Sequence, residues 1–480
     1  MPASRGAWSS PSTAEQSSGD WLDTLLLLAA GALLFGLGIG DYPLWDPGEG
    51  RNAQAAREMA AAGEWLVPRL YGEPYYDKPA PFFAVLRAFQ AVFGESELAL
   101  RLPSVVASLG SLLLLHRFAR PRFGRAAAAL AGVIYLTSPE VVVLARFCNF
   151  DATLSFLVTA AVLAWLAWLD SRAGFPLPAY AAMGLGTLVK GPVAIVLPVL
   201  IAAACAYRRG VLASALRAAR PLRGALLVAA IVLPWIVPAA IVDPAYVRTF
   251  LFHHNVQRYV SSEFEHVRSI LFFAPVILAG MFPWSLLLPA AALADTRRGR
   301  AADLAIWAGI VILFFSIGQA KLATYVLPAF PALALWLASG LTDLVARPRG
   351  QAQRLIDGAI AVWAAFLALL PAGLLIYVWL TYPELWRAAV WSLTLPLLAW
   401  LGVRRLREAA RRPLAVCLVF AAVNVVLLTG FYLRGAPVVS DVNSDAAIAS
   451  FARRLAPGVT IVGYRIQPAS LSYYSGAPVH

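Results

Sequence analysis

Residues 176–207 read PLPAYAAMGLGTLVKGPVAIVLPVLIAAACAY, an apolar stretch whose single charge, Lys190, stands against Gly191–Pro192. Neither arm shows the alternation of a strand, and each approaches the roughly 20 residues that carry a helix across a bilayer. Gly–Pro between them breaks the helix. The stretch reads as two antiparallel membrane helices, 176–190 and 191–207, with a lysine at their shared end.

Runs of the same kind fill the chain on either side, at 21–40, 102–116, 126–144, 153–169, 224–242, 269–290, 303–318, 323–341, 355–380, 388–403 and 413–433. The pattern predicts an all-α integral membrane protein, a multi-spanning helical bundle of about 13 transmembrane helices. The segment 81–94, PFFAVLRAFQAVFG, is apolar but short and carries Arg87, so it is expected to lie in the interface rather than cross. Composition agrees: of 480 residues, 60% are hydrophobic and 14% charged, against about 45–50% and 25% in soluble domains. That balance excludes an ordinary soluble enzyme and a disordered chain. Met1–Gly19 is polar and Ser-rich and leads into the first run with no small-residue cleavage site, so an uncleaved first span is expected. Cys148, Cys205 and Cys417 are far apart and match no metal or redox spacing.

The charge is uneven in kind and in place. Net charge is +13, and of 39 basic residues only three, Lys78, Lys190 and Lys321, are lysines. With the N-terminus in the cytoplasm, the loops 117–125, 170–175, 208–223, 295–302, 342–354 and 404–412 share one side and hold 21 of the 36 arginines and no lysine. This is the positive-inside bias of a membrane protein, and it accounts for the charge without a nucleic-acid partner. The loops of the other side, chiefly 41–101, 145–152 and 243–268, carry carboxylates, histidines and aromatics, and all three lysines fall on that side. Chemistry is expected on the extracytoplasmic face. No internal repeat or pair of broken helices marks a transporter.

In so Arg-rich a chain, a retained lysine marks a place where a compact ammonium differs from a planar guanidinium. Lys78 (YYDKPAPFF), Lys190 (GTLVKGPVA) and Lys321 (GQAKLATYVLP) each sit at a predicted outer helix end. Three cations on one face suit a phosphate-bearing ligand at the membrane surface; snorkelling of helix-end lysines is the plainer alternative. In the first outer loop, Asp46, Glu49 and Arg51 lie on a Pro/Gly-rich turn before a helix of about 51–62 that stops at Gly63. Carboxylates beside an arginine suit general-base work or the holding of a sugar hydroxyl, or else form a solvated ion pair. Asp151, in RFCNFDATLSF, opens an outward-facing helix end, as a site carboxylate or as a cap. The loop 243–268 holds His253, His254, Glu263, Glu265 and His266 without metal-site spacing; Glu263 and His266 are its weak metal candidates, and Arg258 is the better phosphate ligand.

These stretches together resemble a known family. PGEGRNAQAAREMAAAGEWLVPRLYGEPYYDKPAP, ARFCNFDATLSF, LGTLVKGPVAIVLP, FHHNVQRY, GMFPWSLLLP and GQAKLATYVLPAFPAL run in order from about residue 40 to 340. They are similar to the bacterial polyprenyl-phosphate sugar transferases of the GT-C fold, in the group of the aminoarabinose (lipid A) transferase and the protein O-mannosyltransferases. The resemblance implies an inverting glycosyltransferase of the bacterial inner membrane. Its site would be periplasmic, moving a sugar from an undecaprenyl phosphate donor to a lipid, glycan or protein acceptor. It implies that the family's first-loop acidic pair falls at Gly48 and Glu49, with glycine in place of the usual Asp, which leaves the base to Asp46 or Glu49. Asp151 matches the second essential carboxylate, Lys78 the lysine of the lipid phosphate, and Arg258 and Tyr325 further phosphate-side groups.

The expected catalytic set is then Asp46, Glu49 and Asp151, and the expected binding set Arg51, Lys78, Lys190, Arg258, Lys321 and Tyr325. No cofactor is identified, and a divalent metal is left open. A transmembrane domain is expected over 1–433, with 41–101 as its long periplasmic loop, and a short periplasmic tail over 434–480. A monomer is expected. The alternatives are a lipid or solute transporter and a non-catalytic polyprenyl-phosphate binder.

Overall fold

The computed structural model describes residues 13–260, 267–294, 299–381, 383, 386–409, 413–455 and 469–476. In chain order, α1 (Thr13–Gly36) leads into an outer loop that carries α2 (Gly48–Ala62) and α3 (Ala80–Phe93). There follow α4 (Glu97–Thr137), α5 (Pro139–Ala145), α6 (Phe150–Ser171), α7 (Leu177–Lys190), α8 (Val193–Arg208), α9 (Leu212–Ala219) and α10 (Pro221–Val242). Further helices include Arg300–Ile317, Phe330–Ala346, Gly350–Thr381 and Pro413–Gly430. The described residues depart from all-α in a single bridge between Val267 and Ala320 and in a two-residue hairpin, Arg69–Leu70 against Glu73–Pro74. Its turn residues Tyr71 and Gly72 both have positive φ, 58° and 80°, and Glu58 accepts both their N–H groups at 2.9 Å.

The helix pair expected over 176–207 is present as α7 and α8. Gly191 closes α7 at φ 87°, a conformation costly for any residue with a Cβ. Among the described residues six helices are long and apolar enough to cross a bilayer: α4, α6, α10, Ala323–Ala346, Gly350–Thr381 and Pro413–Asn443. The expected span 269–290 is a bent pair, Phe273–Gly280 and Trp284–Ala292, folded through 103°. Trp21–Gly36, Val193–Arg208, Ala301–Ile317 and Ser392–Arg404 are shorter apolar helices. The thirteen expected runs thus resolve into long helices and short ones. Runs 102–116 and 126–144 share α4, which breaks where Gly124 takes φ 83°. The helix α3 has 14 residues, short for a span, and Arg87 pairs with Glu95 at 3.0 Å.

Burial sorts these helices into layers. The apolar windows of α4, α6 and Ala323–Ala346 are 61–67% buried, whereas those of α10 and Gly350–Thr381 are 17% and 28% buried. The first set forms the packed centre and the second presents its apolar faces outward, as a lipid-facing helix must. At the arginine-rich end, buried Asp303 accepts from Arg208 and Arg209, and Asp170 from Arg122 and Arg209. Those arginines latch helix ends as well as biasing orientation.

The outer loop is tied down by one buried ion pair. Arg101, at the start of α4, has no exposed surface, and neither has Glu49 of α2. Arg101 Nε and Nη2 donate to the two Glu49 oxygens at 2.8 and 2.7 Å. Its remaining donors reach the carbonyls of Ile39 (2.7 Å), Tyr42 (2.9 Å) and Pro43 (3.0 Å), so all five guanidinium N–H groups are used. Glu49 also accepts the N–H of Cys148 at 2.8 Å and of Trp45 at 3.0 Å. A buried pair of this kind holds only while complete, because loss of one partner strands the other charge. Replacing Arg101 with Leu should lower stability by about 3–5 kcal/mol, read as thermal loss of the monodisperse species in detergent. Wild-type stability in that variant would contradict the tie.

Candidate active site

Two helix ends meet at the end of the bundle away from the paired arginines Arg208 and Arg209. Asn149 caps α6, its side chain accepting the Ala152 N–H at 2.9 Å. The cap role is therefore filled, and Asp151 is left to reach across to Lys190, whose ammonium donates to it. Lys190 is the last residue of α7, where a cation meets the negative end of the helix dipole. Lys78 is placed by the extended Pro79 that starts α3. After α10 the chain takes a wider π turn over Thr249–Gln257, a feature common at functional sites. That turn brings His254 and Arg258 to the same carboxylate, Asp77.

Asp77 is the hub of the second pair. Lys78 Nζ lies 2.6 Å from one oxygen, and Arg258 Nη1 and His254 Nδ1 each lie 3.2 Å from the other. Burial works against charge on Asp77, but Lys78, His254 and Arg258 hold its carboxyl well below the usual carboxylate range. Burial also lowers the Lys78 pKa, and Asp77 opposes that shift.

Both pairs line one cavity of about 310 Å³. Lys78, Lys190, Arg258, Asp77, Asp151 and His254 supply its polar wall, and Leu154, Val193, Val196, Phe250, Phe314 and Phe315 much of its apolar one. Tyr325 also lines it, with Lys190 Nζ 4.5 Å from the centre of its ring. Lys78, Lys190 and Arg258 face two carboxylates, an excess of one positive charge when all five are ionised and before His254 is counted. Arg258 Nε is buried without a hydrogen-bond partner among the described residues. A spare donor and a surplus cation beside aromatic and aliphatic walls suit an amphipathic anion.

Of the residues singled out in the sequence, the structure brings together Asp151, Lys78, Lys190, Arg258 and Tyr325 on this cavity. Glu49, Asp46, Arg51 and Lys321 are not among its lining residues. Glu49 is enclosed by Arg101 and two backbone N–H groups. Asp46 accepts the N–H and hydroxyl of Ser470, tying the outer loop to the helix Ala469–Ser475. Arg51 lies near Asp46 and Tyr75 and acts electrostatically on both. Lys321 is buried, and its ammonium donates to the carbonyls of Arg268, Gly318 and Gln319. Glu263 and His266 lie outside the described residues. Among the described residues no three His, Cys, Asp or Glu side chains gather as a metal cluster. Sequence reasoning passed over Asp77, although it adjoins Lys78, and assigned no partner to His254.

The chain resembles known proteins in sequence and in fold. Residues 77–238 match the model of the dolichyl-phosphate-mannose-protein mannosyltransferase family. An undecaprenyl phosphate-α-4-amino-4-deoxy-L-arabinose arabinosyl transferase of Pseudomonas fluorescens is 32% identical over 82% of the chain and 68% of the relative. One from another strain is 33% identical over 84% and 74%, and one from Edwardsiella ictaluri 34% identical over 69% and 62%. The chain thus spans between three fifths and three quarters of these relatives. The crystal structure of ArnT from Cupriavidus metallidurans bound to undecaprenyl phosphate superposes with a TM-score of 0.81 at 26% identity, covering 96% of this chain and 85% of that one. An Archaeoglobus fulgidus oligosaccharyltransferase shares the fold at a TM-score of 0.54 and 11% identity, over 97% of this chain and 65% of that one.

The Asp77 cluster makes a pH prediction. Its carboxyl titrates below the ordinary 3.8, so its contribution to stability is complete above about pH 4 and fades as pH falls further. Asp77→Asn should melt lower than wild type at pH 7, with the gap narrowing toward pH 3. A gap of constant size would contradict the ion-pair cluster.

Proposed function

The chain belongs to the undecaprenyl phosphate-α-4-amino-4-deoxy-L-arabinose arabinosyl transferase family, and on that footing we propose that it transfers a sugar from a polyprenyl phosphate donor to an acceptor at the outer face of the inner membrane. The fold is that of the GT-C membrane glycosyltransferases. The observation that carries the proposal is the convergence of Lys78, Lys190 and Arg258 on one cavity with apolar walls. A sugar phosphate held there has its anion among cations and its isoprenoid chain against Val193, Val196 and the Phe side chains.

The transfer breaks the bond from the anomeric carbon to the phosphate oxygen as an acceptor oxygen attacks from the opposite face. The electron pair leaves with the polyprenyl phosphate, whose growing charge Lys78, Lys190 and Arg258 stabilise. Tyr325 packs against Lys190 and offers its hydroxyl to the same group. Asp151 orients the acceptor and takes its proton where the acceptor is a hydroxyl; a phosphate acceptor, already ionised, needs no base. Glu49 and Asp46 act by position: Glu49 holds the Cys148 N–H, three residues before Asp151. The arginine bias supports a periplasmic site. Family membership sets aside the transporter and binder alternatives.

Lys78→Ala and Asp151→Asn should each lower transfer from purified donor lipid by about 10²–10³-fold, with insertion intact. Full activity in both would sink the assignment. Mass spectrometry of lipids and envelope glycans from a deletion strain should show one species lacking a sugar, and that species names the acceptor.

A further inference from the structure

A second cavity runs along α7 from Tyr180 to Thr187 and reaches the arginine-rich end of the bundle. It measures about 520 Å³ and is walled by α6, α7, α8 and α10, with α9 across its arginine-rich end. Trp165, Leu169, Val199, Ala203, Ala229 and Leu233 typify its lining. The hydroxyls of Tyr180 and Thr187, which also line it, are already committed to the carbonyls of Ala219 (3.3 Å) and Met183 (2.9 Å). Its surface therefore offers hydrocarbon and no free hydroxyl, with the buried Trp165 indole N–H as a spare donor among the described residues.

The charge at its mouth is concentrated and uncompensated. Arg217 follows the lining residue Leu216, Arg220 stands between Ala219 and Pro221, and Arg223 lies one residue further along α10 than Leu222. All three are exposed, and none has a carboxylate partner among the described residues. Their neighbours Arg208 and Arg209 differ, being paired with Asp303. On α10 the lining runs from Pro221 to Ile236. At 1.5 Å per residue that is about 22 Å, enough to pass through the roughly 15 Å of one leaflet's hydrocarbon.

We propose that this groove binds an anionic phospholipid of the arginine-side leaflet, with an acyl chain along α10 and the phosphate at Arg217, Arg220 and Arg223. Basic pockets between membrane helices on the cytoplasmic side recognise anionic headgroups in this way. A polyprenyl phosphate donor is a poor occupant. Its cations, Lys78, Lys190 and Arg258, line the other cavity, and the 14 residues of α7 put about 20 Å between Lys190 and the arginine-rich end where a headgroup would sit. The lipid would brace α7, the helix that presents Lys190.

The test uses the full chain in nanodiscs and native mass spectrometry of retained lipid. Wild type should bind phosphatidylglycerol at least about tenfold tighter than phosphatidylcholine, and inorganic phosphate at millimolar concentration should not displace it. The R217Q/R220Q/R223Q variant, altered only at exposed positions, should lose that preference. Ala203→Phe with Ala229→Phe should reduce retention of both lipids, and a control R347Q/R354Q should change nothing. Equal binding of the two lipids by wild type, an undiminished preference in the arginine variant, or retained polyprenyl phosphate in place of phospholipid would each overturn the proposal. No residue of the phosphate cavity is altered, so sugar transfer is scored separately.

Discussion

Three cations in one half-enclosed cavity repel one another, and the low dielectric of a membrane protein's interior magnifies that repulsion. Lys78, Lys190 and Arg258 coexist because two carboxylates are interleaved with them, Asp151 against Lys190 and Asp77 against Lys78 and Arg258. The arrangement constrains much of the bundle. The N-terminal end of α6 must meet the C-terminal end of α7, the outer loop must deliver Asp77–Lys78 at the start of α3, and the wide turn after α10 must bring Arg258 back. What remains is one surplus positive charge facing an apolar wall. In the proposed function that charge is left for an anion with a hydrocarbon tail.

A second constraint holds this one in place. The Glu49–Arg101 pair joins α2, α4, the loop carbonyls of Ile39, Tyr42 and Pro43, and the Cys148 N–H that precedes α6. Neither charge has a free donor or acceptor, so the pair contributes rigidity rather than proton transfer. Asp46 plays a matching part toward the C-terminal helix through Ser470. The carboxylates of the outer loop thus divide by role: Asp77 faces the cavity, and Asp46 and Glu49 fasten the frame around it.

The fold was largely legible because a bilayer imposes apolar runs, and the break at Gly191–Pro192 divides one of them into the short helices α7 and α8. Run counting blurs where a helix breaks or folds back without a polar loop. Gly124 does so inside α4, and the 103° bend does so within the run 269–290. In the site, Lys78, Lys190, Asp151, Arg258 and Tyr325 stood out because the chain uses lysine so sparingly and because of their motifs. Lys321 shared that signal, yet its ammonium is spent on three backbone carbonyls, which no sequence pattern announces. Glu49 and Asp46 looked like chemistry because Arg51 is their neighbour in sequence. Their true partners, Arg101 and Ser470, lie 52 and 424 residues away, and only the folded chain brings them close.

The most direct measurement is equilibrium binding of a polyprenyl phosphate and of the matching polyprenol to the purified protein, each with and without Arg258→Met. The phosphate form should bind at least about a hundredfold more tightly than the alcohol, and the substitution should erase most of that difference while leaving the alcohol unchanged. Equal affinity for the two lipids in the unaltered protein would contradict a cavity built to hold a lipid phosphate.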